Sequence, residues 1–222
     1  MLRVRPVLFT SRLDEYAALL TALGLACTEN HGGWRVLDCG DGKVGLHRAE
    51  RDSPQDGTTA PGFELRDRNI FVRRTLADGT HAELVDSDHG PAARVTAPDG
   101  FSFLADPVTD LASRRPGALA VVQLWHTPDV DAARKVLADI GARPLPPRPV
   151  GSAVFRAKNG GLVALLPAGA SGAGLALEYD GGLAALGARL AAAGVPAAQG
   201  RGTLDVQTPC GGTLQVFAAA AG

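Results

Sequence analysis

The chain has 222 residues, of which 45% are hydrophobic and 20% charged, and its formal net charge is −1. This near-neutral charge gives no electrostatic footprint for nucleic acid or for an anionic membrane, so neither partner is expected. The three cysteines lack CxxC spacing, which excludes a disulfide framework and a zinc ribbon. Neither a secretory signal nor an apolar run of about 18 residues occurs, and we therefore expect a soluble, cytoplasmic protein.

The first stretch, Arg3–Glu29, predicts a strand, a helix beginning after Ser11 and a glycine stop at Gly24. The same pattern returns at residues 120–146. Asp14 matches Asp131 and Gly24 matches Gly141, and both pairs are 117 residues apart. A recurrence of this kind constrains the architecture more strongly than local propensity does.

The rest of the chain continues this pattern of strands, helices and glycine-containing turns. Gly40–Gly42 and Asn159–Gly161 have the composition of hairpin turns. Three further helices are predicted, at residues 69–76, 129–140 and 183–193. Four copies of one βαβββ unit account for nearly every residue. We predict two domains, residues 1–109 and 118–222, joined by the segment 110–117.

Three stretches carry a family resemblance: PVLFTSRLDEYAALLTALGL, its counterpart WHTPDVDAARKVLADIGA, and TAPDGFSFLADP. They resemble the vicinal oxygen chelate superfamily, which includes glyoxalases, extradiol dioxygenases, fosfomycin-inactivating transferases and bleomycin-resistance proteins. The resemblance implies an α+β fold in which four βαβββ modules form two cupped mixed sheets with flanking helices. It also implies a pocket within a cup.

The resemblance further implies where metal ligands would stand on the floor of each cup. The corresponding positions are Arg5, Gly45, Gly62 and Leu104 in the first half and Val122, Ala164, Gly174 and Gln215 in the second. A divalent metal needs several imidazole or oxygen ligands. Only Gln215 could coordinate one, so we expect neither a metal nor another cofactor.

Several polar or aromatic side chains remain as candidates for binding a ligand, because strand alternation places polar residues on the pocket face. They are Arg5, His47, Glu64, Trp125, His126, Glu178 and Gln215. Each of these residues has two interpretations. The two glutamates either face a ligand or are solvated charges at strand ends. The two histidines either act as acid or base, or are surface residues. Arg5 binds an anion or pairs with Glu64, and Trp125 stacks on a ligand or belongs to the core.

These features favour a metal-independent protein that sequesters an apolar or aromatic compound, as in the bleomycin-resistance branch. One alternative is a glyoxalase-like or dioxygenase-like enzyme with a displaced metal site built from His126, Glu178 and Gln215. Another is a purely structural or partner-binding protein. The oligomeric state is open, because four modules already suffice for two cups.

Overall fold

The chain folds into mixed β-sheets with four helices, as a computed structural model that describes residues 1–87, 90–108 and 117–220 shows. The α+β class and the four βαβββ modules are as predicted. Residues 110–116 of the predicted joining segment lie outside the described residues. In the described part, no helix has the length and apolar character needed to cross a membrane.

The four helices begin and end close to the predicted positions. They are α1 (Leu13–Leu23), α2 (Arg68–Ala77), α3 (Val130–Asp139) and α4 (Leu183–Ala192). Gly24 ends α1 in the left-handed conformation, as predicted. Ser11 does not cap α1, because Arg12 occupies the cap position. The N–H of Ser11 donates to the Asp56 carboxylate at 2.7 Å.

The second half forms one continuous sheet of eight strands. In spatial order these are β12 (Arg143–Pro144), β13 (Ala153–Arg156), β14 (Leu162–Pro167), β11 (Leu119–Thr127), β15 (Gly172–Tyr179), β18 (Thr213–Ala218), β17 (Thr203–Gln207) and β16 (Ala197–Gln199). The central pair, β11 and β15, is antiparallel, and each of these strands has a parallel neighbour on its other side.

The first half has the same strand order but is interrupted at its centre. One five-stranded part is β3 (Ala26–His31), β4 (Trp34–Gly40), β5 (Gly42–Arg48), β2 (Val7–Thr10) and β6 (Thr59–Ala60). The other is β1 (Leu2–Val4), β7 (Gly62–Leu65), β10 (Ser102–Pro107), β9 (Gly90–Thr96) and β8 (His81–Ser87).

The interruption falls where two prolines face each other. Leu2 lies opposite Leu65 and Val7 lies opposite Ala60, so the register runs unbroken from β1–β7 into β2–β6. Pro6 and Pro61 lie within the gap, and proline has no N–H to donate to a ladder. The two five-stranded parts are therefore one cupped surface with a local break in its hydrogen bonding.

The helix-facing sides of both halves share one apolar core. Leu2, Val4 and Leu8 of the first half lie in the same buried cluster as Val121 and Trp125 of the second. The alternate residues of these strands point to the opposite, concave faces. The concave face of each half therefore forms the floor of its cup.

Two hairpins link the halves in a reciprocal way. The N–H of Val4 donates to the carbonyl of Gly160 at 2.9 Å, and the N–H of Val121 donates to the carbonyl of Asp41 at 2.9 Å. Val4 and Val121 are 117 residues apart, so each half receives the turn of the other at the same point of its first strand.

Replacement of Gly161 by alanine tests this junction. Gly161 has φ +86°, and an added Cβ would collide with the Cβ of Val4. Gly100, with φ +84°, has nothing within 4 Å of an added Cβ. Both variants carry the left-handed strain of about 1–2 kcal/mol, but only Gly161→Ala adds a clash at the junction. Urea unfolding should show a larger loss of unfolding free energy for Gly161→Ala, and equal losses would contradict the tight contact.

Candidate functional site

The concave face of the first half carries a network of six charged side chains, of which five are buried and the sixth, Asp106, is 17% exposed. They are three cations and three carboxylates, namely Arg3, Arg5, Lys43, Asp38, Glu64 and Asp106. Because the cations and carboxylates are equal in number, the network has no formal net charge. Burying unpaired charges would cost several kcal/mol each, which explains why every member has an opposite partner.

Glu64 lies at the centre of this network. Its carboxylate is 3.2 Å from Lys43 Nζ, 3.6 Å from Arg3 Nε and 3.9 Å from Arg5 Nε. The side chain is 1% exposed. The alternative that Glu64 is a solvated charge at a strand end is thus wrong, and the alternative that Arg5 pairs with it is confirmed.

Arg5 and Trp34 cover the floor where the fold would hold a metal. The Arg5 guanidinium pairs with Asp106 and lies 5.3 Å from the centroid of the Trp34 ring. A Cβ added at Gly45 would be 2.7 Å from Cη2 of Trp34, so the indole packs directly on this glycine. Leu104 lies opposite Gly62 in the ladder.

These residues do not fit a divalent metal. The four positions carry a guanidinium, two glycines and a leucine, none of which supplies the oxygen or imidazole ligands that such an ion requires. Among residues 1–87, 90–108 and 117–220, no group of three or more His, Cys, Asp or Glu side chains could hold an ion.

The concave face of the second half is apolar at the corresponding positions. Ala120 and Val122 stand 117 residues after Arg3 and Arg5. They belong to a buried cluster with Leu162, Ala164 and Ala176, which Val150 joins from the segment between β12 and β13. Side chains of the protein itself therefore pack over this floor.

The register corrects one position in the second half. Gly62 lies in line with Arg5, whose counterpart Val122 pairs with Ala176 and not with Gly174. Gly174 pairs with Leu124, two residues further along. The corrected position still offers no ligand, because alanine has no donor atom in its side chain.

Glu178 occupies the same position as Glu64. Arg3 lies opposite Glu64, and Ala120 lies opposite Glu178. Glu178 is 4% exposed and pairs with Arg148. Both glutamates are therefore neutralised by arginine from the protein itself.

The three residues of the alternative metal site do not come together. Glu178 is opposite Ala120, six residues along β11 from His126, which is about 20 Å in a strand. Gln215 pairs with Ala176 and is exposed, and its Nε2 donates to Asp205 at 3.2 Å. One ion cannot bind all three side chains.

Of the remaining candidates, His47 and His126 lie half-buried on the concave faces. The His47 ring lies 5.3 Å from Phe9 and 6.1 Å from Trp34 between ring centroids. Trp125 is different: it is 1% exposed and stacks on Phe101 at 5.1 Å in the shared core. The expectation that Trp125 faces a ligand is wrong, because it points toward the helices and not into the cup.

A cleft of about 780 Å³ lies between the two halves, and sequence reasoning missed it. The first half contributes Leu8, Tyr16, Leu20 and residues 56–59 to its lining, and the second contributes Leu124, residues 173–175, Thr208, Cys210 and residues 212–214. The cleft depends on how the halves pack against each other, and local sequence patterns do not encode that packing.

Strand divergence opens the cleft on the side of the second half. β15 pairs with β18 only from Ala176 and Gln215 onward. The preceding residues of both strands, Ala173–Leu175 and Thr213–Leu214, line the cleft. An unpaired strand edge presents backbone N–H and C=O groups that can bind a ligand.

Tyr16 supplies a polar group within the cleft. Its hydroxyl lies beside Thr208 and Cys210, and burial raises its pKa above the ordinary value. The phenol therefore stays protonated at neutral pH, and its hydroxyl is hydrogen-bonded to these two side chains. Cys210 Sγ is 3.9 Å from Thr10 Oγ1 and is exposed.

Several solved structures have a fold similar to that of this chain. No protein-family model matches the chain, and no curated protein is significantly similar to it. The Mn(II)-bound glyoxalase from Novosphingobium aromaticivorans aligns with a TM-score of 0.64 and 16% identity, over 97% of this chain and 80% of that one. The 2,3-dioxygenase LapB from Pseudomonas sp. KL28 aligns with a TM-score of 0.65 and 15% identity, over 99% and 91%.

A third similar structure contains an aromatic compound. Homoprotocatechuate 2,3-dioxygenase from Brevibacterium fuscum, in complex with 3,4-dihydroxyphenylacetate, has a TM-score of 0.66 and 15% identity, over 99% of this chain and 80% of that one. At these identities the likeness establishes the fold alone. The chain has the vicinal oxygen chelate fold, as the sequence resemblance predicted.

Replacement of Glu64 by glutamine tests the buried charge network. Removing one partner of a buried ion pair typically costs about 3–5 kcal/mol. Glu178→Gln is the matched control, because Glu178 has the same register position but pairs with Arg148 alone. We expect urea unfolding at neutral pH to show a larger loss for Glu64→Gln. Equal losses would contradict the central role of Glu64.

The three thiols should differ in reactivity. Cys27 and Cys210 are exposed, whereas Cys39 is buried and burial raises its pKa to about 12. A thiol with a raised pKa remains protonated and unreactive near neutral pH, since the thiolate is the nucleophile. Ellman's reagent should modify two thiols in the native protein and a third after unfolding. Rapid reaction of all three would contradict the burial of Cys39.

Proposed function

We propose that this protein binds an apolar or aromatic small molecule without a metal, in the cleft between its two halves. Sequestration of this kind resembles that of the bleomycin-resistance branch of the superfamily. The cleft is the observation on which the proposal rests. Its volume of about 780 Å³ falls within the range of about 300–1,000 Å³ that is usual for ligand sites.

The chemistry of the lining suits such a ligand. Leucine side chains from both halves supply apolar surface, and the threonine and tyrosine hydroxyls of the lining supply a few polar groups. Sites of this kind bind through shape and a small number of polar anchors. The edge of β15 that is not paired with β18 adds backbone N–H and C=O groups, which can form hydrogen bonds with a ligand.

The two cup floors favour binding without a metal. In the first half, the Glu64 network and the packing of Trp34 on Gly45 occupy the positions of the metal ligands. In the second half, Val122, Ala164 and Ala176 are apolar and pack with Val150, and Gln215 is bonded to Asp205. A ligand in the cleft between the halves therefore does not need a metal bound on either cup floor.

A neutral fluorescent probe tests the proposal. N-phenyl-1-naphthylamine should bind in a saturable manner, and Ala173→Trp should weaken its binding about tenfold or more by filling the cleft, since tenfold corresponds to about 1.4 kcal/mol. The matched control is Ala198→Trp, because Ala198 is exposed on β16 and does not line the cleft. The measurement is a fluorescence titration, with thermal unfolding as a check that both variants are folded.

The same titration separates the alternatives. Binding should persist after treatment with a chelator, because no metal contributes. Loss of binding on chelation, restored by a divalent ion, would overturn metal independence. Unchanged affinity in Ala173→Trp would overturn the cleft as the site.

A further inference from the structure

A second concave surface, separate from the cleft, lies where α2 meets the end of α3. This groove has a volume of about 410 Å³. Its lining includes Arg66 and Arg74 from the first half and Lys158 from a hairpin of the second. It shares no lining residue with the cleft between the halves. An inference about the groove is therefore independent of the proposed function.

The three basic side chains of the groove lack carboxylate partners. In the described part of the chain, Arg66, Arg74 and Lys158 form none of the ion pairs. All three are exposed. Their charges are thus available to a ligand.

Three carboxylates also line the groove, and two of them are already engaged. Asp67 caps α2 by accepting a hydrogen bond from the N–H of Ile70 at 2.9 Å. Asp139 accepts from Thr80 and pairs with Lys135 at 2.6 Å. Asp78 remains as the one acidic group that opposes the cations directly.

The three cations line the same groove, together with the amino-terminal residue Met1. The pKa of the Met1 amino group is lowered, first by burial and then by the charges of Lys158, Arg66 and Arg74. All three positive charges thus act on the same end of the groove. A bound anion would relieve this repulsion, because opposite charges favour each other's ionised form.

An apolar wall stands beside the cations. Ile70 is 40% exposed, and Phe71 next to it is half-buried. Both line the groove together with Ile140. An apolar surface left open next to unpaired cations fits a ligand that carries both features.

We propose that this groove binds a small amphiphilic anion, an aryl or acyl compound that carries a phosphate. The phosphate lies between Arg66, Arg74 and Lys158, whose donors can share its oxygens. Arginine is suited to this because its planar fork matches phosphate geometry. The apolar part of the ligand packs on Ile70 and Phe71.

Isothermal titration calorimetry with phenyl phosphate tests this assignment. The double variant Arg66→Ala/Arg74→Ala should bind phenyl phosphate about tenfold more weakly or worse, since hydrogen bonds to charged groups contribute about 1.5–3 kcal/mol. The matched control is Arg51→Ala/Arg73→Ala, which has the same net charge and removes exposed arginines that do not line the groove. The control should bind as the unaltered protein does.

Two further probes identify the features that the groove recognises. Inorganic phosphate should bind more weakly than phenyl phosphate, because it lacks the ring that packs on Ile70. Benzyl alcohol, which has the ring without the charge, should also bind more weakly. Equal affinity of the two double variants, no binding of phenyl phosphate at millimolar concentration, or a phosphate or alcohol that binds as well as phenyl phosphate would overturn the proposal.

Discussion

The reciprocal hydrogen bonds between the halves are the constraint on which the structure depends. The N–H of Val4 donates to the carbonyl of Gly160 in one turn, and the N–H of Val121 donates to the carbonyl of Asp41 in the other. The Asp41 carboxylate adds a bond to the N–H of Gly161 at 2.7 Å and two to Arg156 at 2.9 Å. Each half is thus fixed by a hairpin of the other, whose turn accepts a hydrogen bond from a backbone N–H of the first strand.

This junction determines the shared core and the cleft together. Because the helix-facing sides of both halves form one buried cluster, the halves cannot separate without exposing apolar surface to water. The same packing places Tyr16 of α1 beside Thr208 and Cys210 of the second half. The proposed ligand site therefore belongs to the pair of halves and to neither one alone.

The sequence predicted the fold well because its signals were local. Gly24 marked the end of α1, and the spacing of 117 residues placed the helices and hairpins of the second half. The cap was predicted at Ser11, one residue too early, because α1 begins at Leu13 and its cap position falls on Arg12. The assignment of Gly174 was two residues away from the true counterpart, Ala176, because strand register depends on the partner strand.

The candidate site was less accessible to sequence reasoning. Arg5 and Glu64 were identified as possible partners, but Arg3, Lys43, Asp38 and Asp106 were missed. Their positions on alternate residues of neighbouring strands offered a signal, since charged residues inside a strand pattern are unusual when the strand is buried. The cleft gave no such signal, because its walls come from segments more than 100 residues apart.

The indole of Trp34 on Gly45 also limits which residues positions 5 and 45 can accommodate. A side chain at residue 45 would need the space that Trp34 fills, and Arg5 lies against the other part of the same ring. A chelating residue at position 45 would require a smaller residue at 34, and one at position 5 would require a new partner for Asp106. Neither substitution alone would therefore place a metal ligand on this floor without disturbing the packing around it.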